Sequence, residues 1–209
     1  MSKKRTLFTV LALVLVCAVS IAGTVAYMSM QGGSVENTFI AAGGGKLADS
    51  LTLVEHKVEQ QADGSYQLTA ETTNKNSYQV MPGMELPKDP TITVNGKTAA
   101  AAYLYVEVVD QLDENFTWAM DTAWVELDGV TGAQGGKVYV YAGTTGAALI
   151  LNDSNVPASI PVIEDNKITV ANDAQNLSTT GVNLKFFAYM AQAVVDGSSD
   201  AAVVYEACF

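Results

Sequence analysis

"AAYLYVEVVD", residues 101–110, alternates along its whole length: Leu104, Val106 and Val108 fall on one face, while Tyr103, Tyr105 and Glu107 fall on the other. A period of two marks a β-strand, because successive side chains of an extended chain point to opposite sides. Just upstream, Asn95-Gly96 is a dipeptide that accepts the left-handed backbone of a tight hairpin turn. The same signals recur in both directions along the chain. Tyr66, Leu68 and Ala70 alternate with Gln67, Thr69 and Glu71, and Asp63-Gly64 before them predicts a hairpin with residues 51–58, one face apolar and the other wet. Further strands are expected over 124–127, 137–141, 147–151, 160–163, 167–170 and 184–193. Asp128-Gly129, Gly135-Gly136, Gly143, Asn152-Asp153, Asp165-Asn166 and Asn172-Asp173 supply the turn chemistry that separates them.

Many short strands at this spacing, with no long helical period beyond the N-terminal segment, predict an all-β fold: a jelly-roll-like β-sandwich with a few short helices. The helices are expected over 111–120 and 199–208, the second with Ser199 as its N-cap. No internal repeat or low-complexity tract interrupts the pattern, so one domain is expected after the leader.

That leader begins with Lys3, Lys4 and Arg5, followed over residues 7–22 by an apolar run broken only by Thr9 and Ser20. A basic end and an apolar middle form the layout of a secretory signal peptide. Thr24 and Ala26 then place small residues at the positions needed for a cut between Ala26 and Tyr27. An uncleaved anchor is the alternative, since no charge lies between Arg5 and Glu36 and about 20 apolar residues span a bilayer. Either way the rest of the chain is expected outside the cytoplasmic membrane, secreted or at the cell surface. The expected division is a signal peptide over 1–26, an N-terminal arm over 27–45 and a β-sandwich over 46–209, with Gly43-Gly44-Gly45 as a hinge. Cys17 follows Leu15 and Val16 rather than a small residue, which argues against lipidation.

Beyond the leader, eight lysines face 22 acidic residues, a net charge of −14. Nucleic acid is excluded as a partner, because phosphate recognition needs clustered Lys and Arg. Only Cys208 remains in this part, so no intrachain disulfide forms and stability must come from burial, for which about 180 residues suffice.

His56 is the only histidine. This removes a His-Glu-x-x-His helix and any zinc site built on imidazoles, and no Gly-x-Ser-x-Gly elbow occurs. A thiol pair of Cys208 with His56 is conceivable only if the fold joins them. "DQLDEN", residues 110–115, offers oxygen ligands but lacks the spacing and glycine of a calcium loop, and reads as solvated charge. No catalytic, cofactor-binding or metal-binding residue is assigned.

"GTVAYMSM" and "VENTFIAAG", within residues 23–43, resemble the junction in substrates of the SipW-type signal peptidase: a Gly-Thr-x-Ala-Tyr end, then Asn-x-Phe and a Gly. Met28-Ser29-Met30 stands where that pattern carries an Asp-containing segment. "VMPGMELPKDPTITVNG", residues 80–96, and "FFAYMAQAVVDG", residues 186–197, are similar to the TasA and camelysin group of exported bacterial proteins. The resemblance implies a jelly-roll protein that builds matrix or surface fibres in biofilms of Gram-positive bacteria. Its implied partners are other copies of itself, the SipW-type signal peptidase during export, and cell-wall or matrix components. Some members carry a metallopeptidase label, which a single His56 does not support.

An arm over residues 27–40, extended at about 3.3 Å per residue, reaches about 45 Å, well beyond the radius of gyration of about 16 Å expected for the domain. Within it Val35, Asn37 and Phe39 point one way and Ile40 the other, an assembly strand that could complete the open sheet edge of a neighbouring copy. Head-to-tail donation of this kind does not close and so generates filaments. The competing arrangement folds the same arm back onto its own domain. A third reading is a monomeric wall- or glycan-binding module that presents Tyr103, Tyr105 or Trp118.

Overall fold

The computed structural model describes residues 29–34, 51–94, 101–152, 154–175, 177 and 182–209. The strands are β1 (Ser29–Ser34), β2 (Leu51–Gln60), β3 (Tyr66–Thr73), β4 (Glu85–Pro87), β5 (Thr91–Val94), β6 (Ala102–Asp110), β7 (Phe116–Thr117), β8 (Trp124–Thr131), β9 (Lys137–Tyr141), β10 (Ile160–Pro161), β11 (Lys167–Val170) and β12 (Leu184–Gln192). They form three antiparallel sheets, ordered β1-β12-β6-β9-β8, β10-β5-β2-β3 and β4-β11-β7. The fold is an all-β sandwich, with one α-helix among the described residues, α1 (Ala201–Cys208).

The alternation of β6 sets the layers. Its register against β12 pairs Leu104 with Met190, Val106 with Ala188 and Val108 with Phe186 on one face. These six meet Leu51 and Leu53 of β2, Ile92 and Val94 of β5 and Ile160 of β10, forming the main core between the two larger sheets. Apart from Ala188, each such side chain, fully buried, contributes about 1.5–3 kcal/mol. Trp124 ties the layers further by donating its indole N–H to the Pro161 carbonyl at 2.8 Å. On the opposite face of β6 and β12, Tyr103, Tyr105, Tyr189 and Ala191 are also buried, here beneath Ala201, Val204 and Tyr205 of α1. The five-stranded sheet is therefore covered on both sides. A smaller core of Leu86, Ile168 and Val170 holds the third sheet.

Several expectations need correction. Residues 111–120 form no helix: the Asp110 and Asp113 carboxylates accept the backbone N–H groups of Leu112 and Asn115, local turns that compete with helix formation. Helix α1 forms, but its N-cap is Asp200, whose carboxylate accepts from the N–H groups of Ala202 and Val203 at 2.9 and 3.2 Å. Residues 147–151 form no regular strand: among the described residues Leu151 forms a single bridge, exchanging both backbone bonds with Ala102, and Leu149 donates to the Tyr141 carbonyl. Asp128-Gly129 is no hairpin turn. It lies inside β8, where the register against β9 shifts between Glu126 and Thr131 and Gly129 takes a φ of 80°. The β2–β3 hairpin forms around Gly64, with a φ of 86°, yet β3 has no apolar buried face and Leu68 is 42% exposed. The reason is position: β5 pairs with β2 over Leu51–Val54, above the core, while β3 pairs over Glu55–Gln60, beyond it. Asn95-Gly96 lies outside the described residues.

Candidate assembly edge

β12 reads Leu-Lys-Phe-Phe-Ala-Tyr-Met-Ala-Gln, a nearly continuous apolar run, because both of its faces are buried: residues 186–191 are each at most 9% exposed. One of its edges is bonded along the length of β6, from Leu184 opposite Asp110 to Gln192 opposite Ala102. The other edge is covered by β1, with Ser29 opposite Ala191, Met30 opposite Met190, Gln31 opposite Tyr189, Gly32 opposite Ala188 and Ser34 opposite Phe187. The register shifts between Gly32 and Ser34, so Gly33 is an extra residue in the β1 backbone.

This pairing is unequal. β12 is among the best-anchored strands of the molecule, whereas β1 ends its sheet, has a strand neighbour on one side only among the described residues, and contains two glycines. Glycine is costly to order and brings no side chain to pack. If β1 leaves, β12 exposes backbone N–H and C=O groups over buried side chains, and those groups demand another strand. The part of the arm that the structure describes thus lies on its own domain, the fold-back arrangement. Val35, Asn37, Phe39 and Ile40, named as the assembly strand, and Ala26 and Tyr27, named as the cleavage junction, lie outside the described residues.

A second cluster sits where the sequence reads Leu86-Pro87-Lys88-Asp89-Pro90. The Lys88 ammonium meets the Glu55 carboxylate at 2.6 Å, with side chains only 9% and 1% exposed. The Lys88 N–H donates to the Asn166 carbonyl at 2.8 Å, and the ammonium lies 5.9 Å from the centre of the Phe186 ring on β12. Beside this pair, Asp89 accepts from the His56 backbone N–H at 2.9 Å and holds Nδ1 of its ring at 2.5 Å. Tyr78 donates its hydroxyl to the Pro87 carbonyl at 2.5 Å. Burial first, then the charges of Glu55 and Asp89, push the Tyr78 hydroxyl well above the ordinary tyrosine range. His56 itself is exposed, and the cluster leaves no local signal in the sequence, since Glu55, Lys88 and Asp89 meet only when β2 and β5 pair.

The remaining candidates separate. Cys208 ends α1 on the far face of the five-stranded sheet, half-buried, and burial raises its thiol; His56 belongs to β2 in the other layer, so the two form no pair. Tyr103 and Tyr105 are 5% and 0% exposed beneath α1, and Trp118 packs edge-on against Phe186 while donating to Asp110 at 2.9 Å. The tyrosines are core residues, which removes them as a sugar-stacking surface. Among the described residues, no group of three or more His, Cys, Asp or Glu side chains is placed to hold a metal ion. The chain matches no family model, no curated protein and no solved structure.

Proposed function

We propose that this chain is a secreted structural subunit of extracellular fibres, one that assembles head to tail by passing its N-terminal strand to the β12 edge of the next copy. The observation that carries this reading is the β1–β12 pairing: a weak, one-sided, glycine-containing strand covers the edge of a strand that is buried on both faces. The edge needs a strand, but nothing in backbone bonding requires that strand to come from the same chain. Residues 35–50 join β1 to β2, and 16 residues extended at about 3.3 Å each span about 50 Å, enough to reach a neighbouring molecule. Exchange replaces one set of hydrogen bonds by an identical set, so its net enthalpy is small and concentration decides the outcome. The resemblance to the TasA and camelysin group and the signal-like leader support export followed by assembly.

The test compares the chain without residues 1–26 with one that also lacks the arm, beginning at Ala42. Electron microscopy at high concentration is expected to show filaments of the first and only single particles of the second. Filaments that persist unchanged after removal of the arm, or none from the intact arm at any concentration, overturn the reading.

A further inference from the structure

We propose that Lys88 and Glu55 condense to an intramolecular amide, a self-formed cross-link that staples β2 to the segment between β4 and β5. This is a modification site independent of whether the arm is exchanged. Its elements are in place: an amine and a carboxyl group 2.6 Å apart, both shielded from water, on segments held by strand pairing.

Two features of the pair favour the amide over a permanent ion pair. Burying two opposite charges costs several kcal/mol per ion, and their attraction offsets this only when the other hydrogen-bonding positions are also filled. Here they are not: Oε1 of Glu55 is buried and has no hydrogen-bond partner among the described residues. A bare carboxylate oxygen in the interior is expensive, whereas the single carbonyl oxygen of a neutral amide is a weaker acceptor and costs less to leave unpaired. The amide therefore removes both charges and lessens the penalty at the orphaned atom.

The chemistry needs no outside reagent. Passing one proton from Nζ to the carboxylate along their hydrogen bond produces an amine beside a carboxylic acid. Nζ then bonds to Cδ of Glu55, one Cδ–O bond breaks, and that oxygen leaves as water; in total it carries away two of the three ammonium protons. Nothing is oxidised or reduced. In bulk water the reverse reaction is favoured by solvation of the ions, but fixed neighbours reach effective molarities of about 10⁵–10⁸ M, and the pair is shielded from water, with the apolar Phe186 ring 5.9 Å from Nζ.

Intact mass spectrometry of the folded, purified chain, followed by trypsin digestion, tests this directly. The cross-linked chain is lighter by one water. Trypsin cannot cut after an amidated Lys88, so residues 47–57 and 76–97 are expected as one branched peptide whose fragmentation places the link at Glu55 and Lys88. A chain of full mass that releases free peptides 76–88 and 89–97 overturns the proposal. Lys88→Arg keeps the cation and is expected to restore the full mass; loss of water that persists in this variant also overturns it. Should Lys88→Arg not fold, the wild-type branched peptide still decides the matter.

Discussion

Glu107 lies in the middle of β6 with none of its surface exposed, and its carboxylate is met by neutral donors: the N–H groups of Gln134 and Gly136 at 2.7 and 2.8 Å and the Tyr189 hydroxyl at 2.8 Å. The side chain thereby fastens the β8–β9 loop to the sheet. Gly132 is required there, because a Cβ on it would stand 2.1 Å from Cδ of Glu107. Glu107→Leu strands three donors, and urea denaturation is expected to show a loss of at least about 3 kcal/mol. Gly132→Ala is expected to cost about 1–3 kcal/mol through overpacking, by the same measurement. The neighbouring tyrosines link stability to alkaline pH. Burial raises Tyr205 from its ordinary 10.0 to about 12, while Tyr105 and Tyr189 go higher still, chiefly for the same reason. Between about pH 10 and 12 the unfolded chain has released protons that the folded chain keeps, so stability falls as pH rises through that window and is insensitive to these groups below it. A urea midpoint that does not move between about pH 9 and 11 contradicts this assignment.

Among the elements, α1 depends on a single cap. Asp200→Ala removes the acceptor for two N–H groups and is expected to cost about 1 kcal/mol, seen as an earlier thermal transition. Elements whose own pattern marks them as strands were readable in advance: the alternation of β6, the apolar run of β12, and β9 and β11 with their turn residues; the burial of the β6 tyrosine face beneath α1 was not. The placing of Glu107 on the tyrosine face was readable as well. What was not readable depends on partners distant in sequence. β4 and β5 are three and four residues long, too short for any period, and form because β11 and β2 present edges to them. β3 has the alternation of a half-buried strand but pairs beyond the main core, so Leu68 and Ala70 find no cover and only Tyr66 packs, against the core of the third sheet. β1 is polar and glycine-bearing, with no strand signal of its own; the edge of β12 makes it a strand. The Lys88–Glu55 centre was hidden for the same reason, its members being 33 residues apart.

For the molecule as a whole, β1 is the part whose removal changes the most for the fewest residues. Deleting the arm is expected to accelerate hydrogen exchange at the β12 amides that face β1, within residues 187–191, while the amides shared by β12 and β6 stay protected. Equal protection of both sets after deletion would show that the edge is not held by the arm. The two larger sheets grip each other through β2, β5, β6 and β12, and the outer half of the β2–β3 hairpin takes little part in that grip. Its tip turns through Gly64 with Asp63 accepting from the Ser65 N–H and hydroxyl, a self-contained bend that leans on nothing in the interior. An epitope or reporter peptide spliced into that bend would be carried outside the packed layers, and in a polymer would repeat once per copy along its flank, turning a plain filament into a regularly spaced display scaffold.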